Sequence, residues 1–545
     1  MPASHPLLVL GLDGATLDLV RPLAAAGRLP NLARWMQEGE ARPLVSSVPP
    51  MSFPAWSTFA TGLEPGAHGI FDFTQKLPGA YRLRFVNARD RAGCSLFARV
   101  SEAGGNVLAL GMPATAPAEP LRGLLVPGFD APVSAGSDAG SASDPALYRE
   151  IAARSGPWMK PDLAEGVNAE GWHERAADIL PRRVARKTRF ALEAIRRLRA
   201  AGRGPHLACV VFSESDTAAH HFWRDFDTAS PRHDPGASLL RRSALAVVYE
   251  ALDAACGELR TAFGEDALCV VMSDHGAGGA SHRVVHLNRR LEECGLLRRA
   301  SAGASWDALA RSARNAALCL LPPRLVQAAF RRARGTAARL ESVARFGGFD
   351  WGRTAAFSEE ANTQPGVWLN LEGREAEGCV AHSDRERLLR EVTEALLDWK
   401  LPGGGPVVAR ARRREEVYDG PFVERAPDVV VELALDAGYG LSLVPTPWRT
   451  GRPDSVWSLE GMALAGGRGR GMNGTHRPDG MLLAVGPGRE LLAGVEALKE
   501  LAPACLRAMG LPSSGGNDPA CAPAPYTAEE EAEVAARLRA LGYLE

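Results

Sequence analysis

Three short apolar runs, Pro6–Leu12, Leu207–Phe212 and Ala267–Met272, are each followed within four residues by an aspartate: Asp13, Asp216 and Asp274. A short continuous apolar run bounded by polar residues reads as a strand buried on both faces, the kind that parallel sheets contain. Similar runs lie at Asn106–Leu110 and Met481–Val485, with helical periodicities over Pro30–Glu38, Arg182–Ala201, Leu239–Phe263 and Leu491–Met509. This alternation predicts an α/β fold with a doubly wound, mostly parallel sheet flanked by helices. Ligands in such a sheet bind beyond the carboxyl ends of its strands. The three aspartates, far apart in the chain, should therefore meet at one edge.

Composition narrows the partners. Lys and Arg number 63 against 64 Asp and Glu, so no overall field draws the chain to nucleic-acid polymers or an anionic membrane. No apolar stretch approaches the roughly 20 residues that a membrane-spanning helix needs. The N-terminus lacks a basic segment and a small-residue cleavage site, and the nine cysteines are scattered without C-x-x-C spacing. These features predict a cytoplasmic protein with reduced thiols. Nothing in the sequence sets an oligomeric state.

The expected organisation is a core over 1–295 with an insertion at about 131–180, entered through the Gly, Ser and Ala-rich Ala131–Asp144. A basic helical cap follows over 296–349, where Leu296–Arg345 carries ten arginines against Asp307 and Glu341. That stretch reads as a solvated helix face before it reads as an anion site. A smaller α+β subdomain is expected over 350–479, with a helix near Asp384–Trp399, then a final core strand and helix over 480–510. Residues 511–545 read as a linker and an amphipathic helix at Thr527–Glu545 with an acidic first turn.

Five separated motifs could carry chemistry. Asp13-Gly14 closes the first strand, although an isolated Asp-Gly is most often a turn. Ser47-Val48-Pro49-Pro50-Met51-Ser52-Phe53-Pro54-Ala55-Trp56-Ser57-Thr58 brackets a helix start with prolines, and Thr61-Gly62-Leu63-Glu64-Pro65-Gly66-Ala67-His68-Gly69-Ile70 follows it. This places the Ser52 hydroxyl at a helix N-terminus, where backbone amides favour a phosphate. Ser57 and Thr58 compete with Ser52 but fall inside the helix. Asp216 and His220, four residues apart, can reach one ion from one helix face, in preference to the adjacent His221. Ser273-Asp274-His275-Gly276 ends a strand in two consecutive metal-ligand types. Gly474-Thr475-His476-Arg477-Pro478 precedes the last strand.

Taken in this order, the motifs resemble the alkaline phosphatase superfamily, specifically its type I phosphodiesterase and nucleotide pyrophosphatase branch. The resemblance implies that Ser52 is a nucleophile forming a phosphoseryl intermediate on a small-molecule phosphate ester. It implies a pair of divalent ions, zinc or else manganese. Asp216, His220 and His476 would hold one ion, while Asp13, Ser52, Asp274 and His275 would face the other. His68, His282 and His286 become candidate substrate contacts, with His68 also placed to order the nucleophile segment. A sulfatase-like hydrolase is disfavoured because Trp56 stands where that chemistry needs an arginine. A phosphoglycerate mutase-like phosphotransferase shares the metal set but not the Ser-Phe-Pro context. A non-catalytic binding protein of the same fold is disfavoured by the complete set of site residues.

Overall fold

The computed structural model describes residues 5–131, 138–158, 163, 171–300, 346, 348–360, 365–447, 454–467, 470–513 and 534. The chain forms two compact units, one of residues 1–70, 87–279 and 473–524, the other of 71–86, 280–472 and 525–545.

The first unit is built on a seven-stranded sheet. Its strands are β1 (Leu7–Leu12), β2 (Ala41–Val45), β3 (Val107–Leu110), β4 (Gly123–Val126), β5 (Leu207–Phe212), β6 (Leu268–Met272) and, after two strands given below, β9 (Asp479–Val485). Their order across the sheet is β2-β9-β6-β1-β5-β3-β4. β1 pairs in parallel with both β5 and β6, and only β9 runs against its neighbours. The fold is therefore α/β with a mostly parallel central sheet, as the alternation predicts.

Side chains of β1 alternate between faces, and both faces are covered. Leu8, Leu10 and Leu12 join Leu180, Phe190, Leu245 and Leu252 in one core cluster, whereas Leu7 and Val9 join Trp56, Phe59 and Leu501 in another. Helices α1 (Ser52–Thr61) and α5 (Leu498–Ala508) belong to the second cluster. Helices α2 (Trp172–Ala200) and α4 (Leu239–Phe263) belong to the first, with α3 (Glu214–Phe226).

Two helices depart from the sequence expectation. α2 begins ten residues before Arg182 and runs through Pro181, because Trp172, Ala176, Ala177 and Leu180 bury a continuous stripe that outweighs the lost backbone bond. The pattern over Leu491–Met509 resolves into a short 3-10 turn at Arg489–Leu492 and then α5.

Two further strands cross next to the sheet edge. β7 (Gly276–Val285) follows β6, and β8 (Gly474–Arg477) pairs antiparallel with its first residues, His476 opposite Ala277. Because β9 is antiparallel, its start lies at the same edge as the ends of β1, β5 and β6. That geometry brings His476 to the edge where Asp13, Asp216 and Asp274 stand.

The second unit holds a four-stranded antiparallel sheet of Ala356–Phe357, Gly366–Leu369, Val429–Leu433 and Val408–Arg413, with a helix at Arg385–Leu397. Residues 71–86 belong to this unit although they follow the nucleophile segment directly. The buried Lys76 Nζ lies 2.6 Å from Glu375 Oε2, and the Gly79 amide donates to the Arg374 carbonyl. The chain passes between the two units at 70, 86, 279, 472 and 524. Most of the basic cap over 296–349, much of the 131–180 insertion and nearly all of Thr527–Glu545 lie outside the described residues. Among the described residues no helix is long and apolar enough to cross a membrane.

Candidate active site

Asp13 stands one residue past β1, and its amide donates to the Phe212 carbonyl at 3.0 Å. Ser215 Oγ donates to the Asp13 carbonyl at 2.6 Å, so the backbone here is held from both sides. Gly14 turns the chain away with φ +64°, and a Cβ added there would lie 2.9 Å from Asp216 Oδ1. The crowding of carboxylates thus requires the Asp-Gly pair that looks unremarkable in sequence. The Gly14 amide in turn donates to Asp274 Oδ1 at 3.2 Å.

Ser52 is the first residue of α1, after an extended Met51, and it is fully buried. Its Oγ donates to Asp13 Oδ1 at 3.3 Å and lies 3.5 Å from His275 Nε2. The competing hydroxyls sit deeper in the helix. Thr58 Oγ1 is bonded to His68 Nε2 at 3.0 Å, and Ser57 Oγ is buried without a hydrogen-bond partner among the described residues.

Asp216 occupies the first turn of α3 and His220 the next turn, with Nε2 3.2 Å from Asp216 Oδ1. His476 Nε2 lies 3.0 Å from His220 Nε2 and 3.5 Å from Asp216 Oδ1, and its ring stacks on His275 at 3.9 Å. The seven residues singled out around Ser52 therefore converge on one edge of the first unit.

The three imidazoles share one device. Nδ1 of His220, His275 and His476 bonds to the carbonyl of Gly474, Gly276 and Pro50 respectively, at 2.9, 3.0 and 3.0 Å. A carbonyl can only accept, so each Nδ1 carries the hydrogen and each ring turns Nε2 inward. Nε2 of His220 and Nε2 of His476 lie 3.0 Å apart, a separation that requires a proton or a metal cation between them.

The carboxylates give the same indication. Burial, reinforced by the charges of Asp274 and Asp216, pushes Asp13 well above the usual carboxylate range. Burial, against the Gly14 amide and with Asp216, pushes Asp274 up to about 8. Asp216 is equally buried, yet the imidazoles of His220 and His476 hold it well below the usual range. Burial and then His476 push His275 down to about 3, so it is a neutral ligand type at physiological pH. Asp274 Oδ2 is buried without a hydrogen-bond partner among the described residues.

Clustered buried carboxylates facing inward imidazole lone pairs form a donor set that suits a borderline divalent cation. Two overlapping groups have ligand atoms within 4.8 Å of one another: Asp216, His275 and His476, and Asp13, Asp274 and His275. His275 belongs to both groups, where the sequence reading gave it to the Asp13 side alone.

His68 is fully buried, with both nitrogens engaged by the protein. Its Nδ1 accepts from the Ile70 amide at 3.1 Å, so Nε2 carries the hydrogen toward Thr58. Burial, and then the charge of Arg91, hold its pKa at about 3 against an ordinary 6.5. The unfolded chain takes up a proton near 6.5 while the native ring stays neutral, so this contribution to stability is complete above 6.5 and is lost as pH falls toward 3. The slope in that window is about 1.4 kcal/mol per pH unit. A His68→Asn variant should lose about 2 kcal/mol less stability than the wild type between pH 6.5 and 5, by urea unfolding. Equal losses in the two proteins would remove His68 from the acid response.

His282 and His286 lie in the second unit. His286 Nδ1 bonds to the Val444 carbonyl at 3.1 Å, and its ring lies 4.2 Å from that of Trp457. Sequence reasoning missed one participant in the first unit, Trp56, whose indole Nε1 donates to Asp13 Oδ2 at 3.0 Å. Its spacing of four residues from Ser52 on one helix was the available clue.

The family described as type I phosphodiesterase / nucleotide pyrophosphatase matches residues 7–442. No curated protein matches the chain in sequence. Among solved structures, phosphonoacetate hydrolase from Sinorhizobium meliloti 1021, in complex with phosphonoformate and with phosphonoacetate, is 15% identical over 94% of this chain and 96% of its own, with a TM-score of 0.51. Murine ectonucleotide pyrophosphatase / phosphodiesterase 5 is 13% identical over 94% and 96%, with a TM-score of 0.46. At these identities the likeness to solved structures concerns the fold, and the family match carries the assignment. The chain belongs to the type I phosphodiesterase / nucleotide pyrophosphatase family of phosphoric ester hydrolases, within the alkaline phosphatase superfamily.

Proposed function

We propose that the chain hydrolyses small phosphorus esters at a two-metal site through a phosphoseryl intermediate on Ser52. The observation that carries this reading is the position of Ser52 Oγ, 3.3 Å from Asp13 Oδ1 and 3.5 Å from His275 Nε2, at the first residue of a helix. A pair of divalent ions, zinc by ligand type with manganese as the alternative, would lower the pKa of the serine hydroxyl and offset the charge gathering on phosphorus. Asp216, His220 and His476 would hold one ion and Asp13, Asp274 and His275 the other, with His275 placed between them.

The chain's own groups supply the rest. Ser52 points its hydroxyl hydrogen at Asp13 Oδ1, which leaves the oxygen lone pairs available for attack. The N-terminus of α1 offers amide hydrogens and the positive end of a helix dipole to the phosphoryl oxygens. Attack forms the Ser52 Oγ–P bond as the serine proton passes to Asp13 Oδ1, and breaks the bond from phosphorus to the ester oxygen, which takes up a proton and leaves as an alcohol or phosphate. Water then attacks the phosphoseryl group, returning Ser52 and completing the hydrolysis. Trp56 stands where sulfate-ester chemistry needs an arginine, which supports phosphorus over sulfur.

Metal analysis and a substrate panel test this. Purified protein is expected to carry about two equivalents of divalent metal and to cleave bis-p-nitrophenyl phosphate or p-nitrophenyl phosphate. Dipicolinate should abolish turnover and added zinc should restore it. Full activity in metal-stripped protein would sink the two-metal reading.

A further inference from the structure

Trp56 is a fully buried residue one turn into α1. The two oxygens of Asp13 have separate partners. Oδ1 receives the Ser52 hydroxyl at 3.3 Å and lies 3.6 Å from His275 Nε2, while Oδ2 accepts the Trp56 indole N–H at 3.0 Å. The indole is closely packed. A Cβ built on Gly11 would come within 2.6 Å of the ring edge, so that edge abuts the bare backbone of β1 two residues before Asp13. Phe59 packs on the indole edge-on at 5.8 Å and 88°.

Satisfying an indole is not in itself a requirement of this fold. Trp35, Trp158, Trp172, Trp368 and Trp399 bury their indole nitrogens without a hydrogen-bond partner among the described residues. Trp56 instead directs its N–H at a carboxylate of the candidate metal cluster, and it does so from the helix that begins with Ser52.

We propose that Trp56 is a positioning residue: its indole N–H occupies Asp13 Oδ2 and so confines Asp13 to binding metal through Oδ1 alone, on the side of Ser52. A carboxylate freed to rotate can turn both oxygens toward an ion or turn one away, and either rotation shifts the ion from the serine oxygen. Partners that orient a ligand in this way change metal affinity or activity by roughly 10- to 100-fold when removed. The inference rests on the reading of Asp13 as a ligand.

The test compares zinc binding by chelator competition, and turnover, in wild type, Asp13→Asn and Trp56→Phe. Asp13→Asn should lose one of the two zinc equivalents. Trp56→Phe keeps a ring over Gly11 but lacks the N–H, and it should weaken one zinc equivalent by roughly 10- to 100-fold, leave the other unchanged, and lower kcat more than it raises KM. If Trp56→Phe folds poorly, 3-benzothienylalanine at position 56 keeps the full bicyclic shape, replaces N–H by sulfur and should give the same selective loss. Wild-type zinc affinity in a folded variant lacking the N–H overturns the positioning role while leaving the metal site standing. Wild-type zinc binding in Asp13→Asn overturns both.

Discussion

Replacing Ser52 by alanine is expected to reduce turnover of a p-nitrophenyl phosphate ester by at least roughly 10³-fold, with zinc content unchanged. The substitution removes one oxygen from a fully buried position and leaves the helix intact, since the helix cap is formed by Met51 and the αL Gly62. Loss of the hydrogen bond to Asp13 costs about 1 kcal/mol of stability, far less than the 4 kcal/mol or so of barrier height that a 10³-fold effect represents. Activity and folding are therefore separable in this variant. A second hydroxyl taking over is the one structural route to residual activity. Thr58 is committed to His68, and Ser57 lies well over one turn beyond Ser52 in the same helix. Wild-type turnover in Ser52→Ala would transfer the nucleophile to one of them, and Ser57→Ala and Thr58→Val in the same background would decide which.

The site was legible in sequence to the extent that its residues sit at the ends of apolar runs. Asp13 follows β1 directly, Asp274 follows β6 after Ser273, and Asp216 lies in the first turn of the helix after β5, so the rule about strand ends places all three without knowledge of side-chain positions. What the sequence could not supply is contact between distant backbone and side chain. The orientation of His220 depends on the Gly474 carbonyl and that of His476 on the Pro50 carbonyl, separations of hundreds of residues with no local pattern. The sharing of His275 between two ligand groups follows from the stacking of its ring on His476, again a product of the β7–β8 pairing. Likewise, residues 71–86 fall within the core expected over 1–295. Their membership of the other unit depends on a buried ion pair to Glu375, a partner 299 positions away. Local periodicity also underestimated α2, where Pro181 resembles a boundary although the apolar stripe passes straight through it.

A Lys187→Met variant is expected to lose about 3–5 kcal/mol of stability, the largest effect predicted for a residue outside the ligand cluster. Lys187 on α2 places Nζ 2.8 and 3.0 Å from the two oxygens of Glu214, with side chains only 5% and 2% exposed. Burial pulls the lysine below its usual range while Glu214 opposes that shift, so the ammonium is retained by its partner. The Trp158 ring, 5.4 Å from Nζ, adds a further contact to the cation. Methionine fills nearly the same volume, so the variant creates little cavity, and its cost arises from leaving a carboxylate buried without its cation. A Lys187→Met/Glu214→Leu double variant removes both charges and is expected to recover to within about 1 kcal/mol of wild type, because a buried pair and a well-packed apolar replacement are close in energy. Guanidinium unfolding of the three proteins separates these terms. Equal loss in the single and double variants would assign the effect to packing and reject the ion pair as its source. The pair also anchors the first turn of α3, which carries Asp216 two residues after Glu214. The single variant should therefore bind zinc more weakly at the equivalent held by Asp216 and His220, and the double variant should regain that affinity along with its stability.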